Sequence, residues 1–193
     1  MLVNIDWRAV ERTGEDPGVP NWSMLRLRAE AAAELWPGDP EAARFATEVG
    51  VPFARGLFRL LPEHARRRPE NPDRAFAREP LTESLVETAH GRLRQLGELF
   101  GGFVFVNLDD GTIWVCDPDS EVEYELIHGD VSSFSYLVYK VEVERPLDEE
   151  RPTPYDWADA EEFVREGMAR WDPLPFERGA RFWEAFLDTW ATM

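Results

Sequence analysis

Three histidines, one cysteine and 38 carboxylates are the groups of this 193-residue chain that could do chemistry. His64, His90 and His128 lie in no HExxH or HxE pattern and beside no paired cysteines, so the spacing of a metalloprotease or a zinc deaminase is missing. Each is predicted to be a surface or capping residue. Cys116 is the single cysteine, so it has no disulfide partner within the chain and cannot build a Cys-based zinc site. It lies in an apolar run with no base marked for it, and it is predicted to be a small core residue rather than a nucleophile. Asp109-Asp110-Gly111 and Asp117-x-Asp119-x-Glu121 supply the oxygens that calcium would require. Neither has the glycine and terminal glutamate of a calcium loop, and turn chemistry accounts for both. There is no glycine-rich phosphate loop and no GxSxG. A carboxylate pair could serve a hydrolase, but among so many acids close pairs arise by chance. Arg66-Arg67-Arg68 could bind an anion, although a solvated loop explains it as well. No catalytic residue, metal ligand or cofactor-binding residue is predicted.

The carboxylates are unevenly spread. Residues 1–100 carry 14 cations against 16 acids, whereas residues 101–193 carry 7 against 22, a net of −15 out of the total −17. Such a field repels nucleic acid and anionic membrane and draws in a basic partner over a range set by salt. With 44% hydrophobic residues, 8 Trp and 12 Phe, the chain has the material for a core. Its length suits one domain, over residues 1–193. The start has no basic segment followed by an apolar one, no run reaches the length of a membrane span, and cysteine is scarce. A cytoplasmic location is therefore expected. The 20 arginines against one lysine, Lys140, are read as base composition.

These residues need elements to position them. Leu25–Trp36 is predicted to be helical. Asp39 is a candidate N-cap with Pro40 at the first helical position, and Ala42, Phe45, Ala46 and Val49 form an apolar face ended by Gly50. Val51-Pro52 reads as extended, residues 53–61 are apolar and of either type, and residues 62–80 read as loop. Leu81–Phe100 is predicted to be a helix, weakened by Gly91 and Gly97. Strands are predicted near 103–108 and 112–117, joined by the tight turn Asp109-Asp110-Gly111 and covered on both sides. A third is predicted near 121–127, with Val122, Tyr124 and Leu126 inward and Glu121, Glu123 and Glu125 forming an acidic outer face. Residues 131–143 suit a strand by propensity and a helix by spacing. After a charged linker come two helices. The first starts at an Asp156 N-cap and has Ala160, Phe163, Val164, Gly167, Met168 and Trp171 on its inner stripe. The second, opened by Pro175 after the break at Asp172-Pro173, lines up Phe176, Ala180, Trp183, Leu187 and Trp190. The expected class is α+β: a central mixed or antiparallel sheet with N-terminal and C-terminal helices around it.

This order of elements resembles the SUKH superfamily of bacterial immunity proteins, and most its fourth family. Val49-Gly50-Val51-Pro52 matches the "vGlP" ending of an early helix. Asp117 to Val122 matches a "dp.tG.V" turn in part, with Ser120-Glu121 where the family has glycine. Ser132-Ser133-Phe134 resembles the "nsSl..F" opening of a helix, with Phe134 for the usual Leu and Leu137 near the usual Phe. The resemblance is clearest over residues 40–190. It implies an α+β fold, a helix at 131–141 and no catalysis. It also implies a gene beside that of a secreted polymorphic toxin, often a nuclease or deaminase, which the protein neutralises by binding.

Charge and resemblance together predict a cytoplasmic immunity protein that needs no cofactor. Its expected partner is a basic toxin domain acting on nucleic acid, whose active site it occludes with an acidic surface. The candidate partner-binding residues are Asp109, Asp110, Asp117, Asp119, Glu121, Glu123 and Glu125. A regulatory scaffold for another basic protein is the alternative, followed by a carboxylate-dependent hydrolase.

Overall fold

A computed structural model of the chain describes residues 2–13, 23–53, 57–68, 72–77, 84–118, 123–146, 152–177 and 181–191. The class is α+β, as expected. A helix α1 (Trp7–Thr13) precedes a short strand β1 (Ser23–Leu25), then come helices α2 (Ala29–Leu35) and α3 (Pro40–Glu48). Asp39 caps α3 as predicted, accepting from the backbone N–H of Glu41 and Ala42 at 3.0 Å each. The predicted helix from Leu25 begins only at Ala29. Before it, β1 pairs antiparallel with β2 (Val51–Phe53), which confirms the extended Val51-Pro52. Gly50 joins α3 to β2 at φ +87°, and a Cβ there would come within 2.2 Å of the Leu25 carbonyl oxygen. Only glycine fits that crossing.

Among the described residues the main sheet has six strands, paired antiparallel. They are β3 (Phe58–Leu60), β4 (Leu85–Thr88), β5 (Gly91–Leu99), β6 (Gly102–Asn107), β7 (Ile113–Cys116) and β8 (Glu125–His128), in the order β3-β5-β6-β7-β8 with β4 also on β5. Short helical turns at Pro62–His64 and α4 (Pro72–Ala75) interrupt the stretch predicted to be loop. Of the helix expected over Leu81–Phe100, residues 81–83 lie outside the described ones and the rest is instead the β4–β5 hairpin. Its register slips between Gln95 and Gly97, so Leu96 is the extra residue of a bulge. That bulge explains the misreading: it lets Leu93, Leu96 and Leu99, spaced by three, all be buried in one strand. Gly97 could not be replaced either, because a Cβ would sit 2.1 Å from the Arg59 carbonyl oxygen of β3.

The β6–β7 hairpin forms where predicted, with Val106 opposite Ile113 and Gly111 at φ +78°. Val104, Phe105, Val106, Ile113 and Val115 are buried, as central strands require. The third predicted strand is shorter than expected and begins at Glu125, and residues 119–122 lie outside the described ones. Residues 131–143 resolve as helix: α5 (Val131–Glu144) buries Phe134, Leu137, Val138 and Val141 at helical spacing. Asp130 caps it through the N–H groups of Ser132 and Ser133. Phe134 meets Phe58 of β3 edge-on at 5.2 Å, which fastens this helix to the sheet.

Two helices close the chain: α6 (Pro154–Ala169) and α7 (Phe182–Trp190). The N-cap of α6 is Thr153 rather than Asp156. Asp156 is its capping-box partner three residues on. Pro175 does not open α7 but sits in a short 3-10 turn, Leu174–Phe176. Phe182, Trp183, Phe186, Leu187 and Trp190 of α7 are buried, and each contributes about 1.5–3 kcal/mol by leaving water. Arg165 of α6 holds Glu184 of α7 through two hydrogen bonds of 2.9 and 2.8 Å, and Glu161 through a third of 2.8 Å.

Candidate functional site

The structure divides the seven candidate acids. Asp109 and Asp110 lie in the β6–β7 turn, Asp117 follows β7 at its other end, and the strand between them is about 10 Å long. Asp119 and Glu121 lie outside the described residues. Asp109 accepts from the Arg92 guanidinium at 2.6 and 3.0 Å and from the Arg92 backbone N–H at 3.2 Å, and those bonds lower its pKa. Asp110 accepts from the backbone and hydroxyl of Thr112 at 3.0 and 2.6 Å, inside its own turn. Glu125 takes the N–H groups of Arg181 and Phe182 at 2.7 and 3.0 Å. It therefore faces the start of α7, against the expected outward strand face. Asp117 is half-buried and Glu123 exposed. Beside them Cys116 is half-buried, and burial first, then the charges of Glu123 and Asp117, push its thiol pKa up. A nucleophilic thiol needs the opposite shift.

A second acidic surface lies on α6. Its inner row is Ala160, Val164 and Met168, all buried. Phe163, predicted to share that row, sits about a quarter turn away at 100° per residue and is 55% exposed. Tyr155 is 81% exposed. On the outward side, Tyr155, Asp159, Glu162 and Glu166 follow one another at helical spacing. The exposed residues of Pro154–Ala169 include the carboxylates Asp156, Asp159, Glu162 and Glu166 and no cation. The flanking groove, about 420 Å³, is lined by Glu144, Pro146, Pro152, Asp156, Asp159, Ala160 and Phe163. Hydrogen bonds from the backbone and side chain of Thr153 lower the Asp156 pKa and keep it ionised. Glu144 pairs with Lys140. Asp159 and Glu162 have no ion-pair partner among the described residues.

Two histidines contradict the surface expectation. His64 is buried, with Nε2 2.9 Å from the Gln95 carbonyl oxygen. His128 is wholly buried at the end of β8, its Nδ1 3.3 Å from Asp172 Oδ2. Asp172 also accepts from the Gly129 N–H and the Ser133 hydroxyl, both at 2.8 Å. His90, by contrast, is exposed and stacks on Trp114 at 4.6 Å. A serine, a histidine and an aspartate in contact invite comparison with a nucleophilic triad, but the carboxylate is the hub here and itself accepts the serine's hydrogen bond. Ser133 is 1% exposed, so no substrate reaches it. Burial pulls the His128 pKa down, against the opposing pull of the hydrogen bond and charge of Asp172. Burial alone would raise Asp172, yet the bonds from His128, Gly129 and Ser133 outweigh it and hold the carboxyl at about 2. The cluster ties β8, the start of α5 and the chain beyond α6 together. The sequence offers no signal for it, since its members are 39 and 44 residues apart.

Arg66, Arg67 and Arg68 are exposed and, with Arg26, line a cavity of about 270 Å³. Arg26 is already engaged with the Glu11 carboxylate at 2.8 Å and the Glu48 carbonyl at 2.8 Å. Among the described residues no group of three or more His, Cys, Asp or Glu side chains could hold a metal ion. Among them, too, no helix is long and apolar enough to cross a membrane.

The surfaces thus offer charge and aromatic area, and the Ser133–His128–Asp172 cluster is buried. The chain belongs to the SUKH-4 immunity protein family, whose model it matches over residues 9–189. Membership carries a role in toxin immunity and a cognate toxin as binding partner. No curated protein and no solved structure matches the chain.

Proposed function

We propose that this protein, folded as one unit in the cytoplasm, neutralises a cognate toxin that acts on nucleic acid by covering the toxin's active site with an acidic surface. The observation that carries the reading is the charge imbalance, 22 carboxylates against 7 cations over residues 101–193 of a family built to bind toxins. A toxin that grips phosphates must present a basic groove, because neutralising the phosphate backbone supplies most of its affinity. A negative surface steers toward such a groove and raises the association rate, steeply so at low salt. Asp117 and Glu123, with Asp119 and Glu121 between them, supply part of that surface. Asp109, Asp110 and Glu125 add to its field while bonded within the fold.

The test is co-purification with the product of the neighbouring toxin gene, followed by growth rescue on co-expression. The expected result is a stable complex whose association rate falls with added salt. A toxin that is not basic, or an association rate indifferent to salt, would discard the acidic-surface reading.

A further inference from the structure

The outer face of α6 combines two features that a solvated helix has no reason to combine. One is a pair of large rings in water: Tyr155 at 81% and Phe163 at 55% exposure. The other is a row of carboxylates with no cation among them, Asp159 and Glu162 being free of ion pairs among the described residues. A face needed only for solubility would keep its phenylalanine in the buried row with Ala160 and Val164. Phe163 instead borders the groove of about 420 Å³ between the end of α5 and the first half of α6, whose carboxylate lining is Glu144, Asp156 and Asp159.

We infer that this groove is the anchor point for the cognate toxin domain, and that it takes an arginine or lysine side chain of the toxin. The inference rests on the proposed function and names the contact surface within it. The chemistry matches the groove at both ends. The aliphatic stem of a long basic side chain covers Phe163 and Pro152, and its cationic head reaches the carboxylates of Asp156 and Asp159. The same cation gains from the face of an aromatic ring. Carboxylates held by Thr153, as Asp156 is, need no reordering when the partner arrives. Tyr155, one turn before Asp159, adds amphipathic area of the kind that concentrates binding energy. From Tyr155 to Glu166 the stripe runs about 16 Å along the helix.

The experiment measures affinity of the full chain for the toxin domain encoded beside its gene. Phe163→Ala is expected to weaken binding about 30-fold and Tyr155→Ala about 10-fold, with melting temperature unchanged because both rings are outside the core. Asp159→Lys is expected to weaken binding and to flatten its salt dependence. Glu87→Lys, exposed on β4 and outside both the groove and the acids proposed above, is the control and leaves binding within about twofold. Wild-type affinity in all three α6 variants, with tight binding by the parent chain, overturns the groove assignment and leaves the proposed function standing. Absence of any complex with the parent chain overturns both. A concentration-dependent dimer of the chain alone that Phe163→Ala dissolves overturns the toxin as occupant, since a second copy would then fill the groove.

Discussion

The carboxylates of this chain fall into two populations, and the contrast between them is chemical rather than numerical. Asp172, Asp130, Glu125 and Asp109 each accept hydrogen bonds from backbone or side-chain donors of another segment or of their own cap. Asp159, Glu162 and Glu166 on α6 project from one helix face beside exposed rings. Equal formal charges therefore have unequal availability. A carboxylate that caps a helix or closes a turn contributes to the long-range field, but it meets a partner only where it already points, as Asp156 does beside the α6 groove, because turning would leave its donors. The number of acids per segment measures the field. Only the donors around each acid tell whether it can make a contact.

Substitutions should separate the two populations by stability. The largest loss is expected for Asp172→Ala, which strands the Gly129 N–H, the Ser133 hydroxyl and His128 in a buried site. About 3 kcal/mol is expected, read as a lower urea midpoint at unchanged m-value. Next, Glu125→Ala removes the acceptor at the start of α7 and should cost about 1 kcal/mol, with faster amide exchange at Arg181 and Phe182. Acid gives the third test. Because burial lowers the His128 pKa in the folded state, the unfolded chain takes up that proton first as pH falls. Stability is therefore expected to decline from about pH 7 downward through the ordinary histidine range near 6.5. A further decline follows below about pH 4, where unfolded carboxyls protonate while Asp172, at about 2, resists. In His128→Gln the first decline should disappear and the second remain. The smallest effect is expected for Asp159→Asn and Glu162→Gln, within about 0.5 kcal/mol of the parent in the same urea titration. A loss above about 1 kcal/mol for either would place α6 in the first population and dissolve the contrast.

What was legible followed from local chemistry. Asp39 before Pro40, the Asp-Gly turn between two β-rich runs, and the aromatic row of α7 each carry their structural cause within a few residues. Leu81–Phe100 was not legible, because a bulge at Leu96 gives a strand the spacing of a helix and only the partner strand reveals it. Residues 131–143 carry valines that suit either state, and the burial that decides for a helix comes from Phe58 and other distant side chains. Phe163 lies close enough to the inner stripe to be assigned to it, so its exposure, the feature most telling of a contact surface, is visible only once α6 is docked. His128 and Asp172 meet across 44 residues, beyond the reach of any spacing rule.

The edge of the sheet at β5 has its own consequence. Two separate pieces, β3 of three residues and β4 of four, lie end to end along it, and the edge on the other side is the four-residue β8. A stray strand from another molecule would find no long, unbroken ladder on which to grow. An immunity protein must stay clear of its own copies to meet its toxin, and the brevity of its outermost strands serves that.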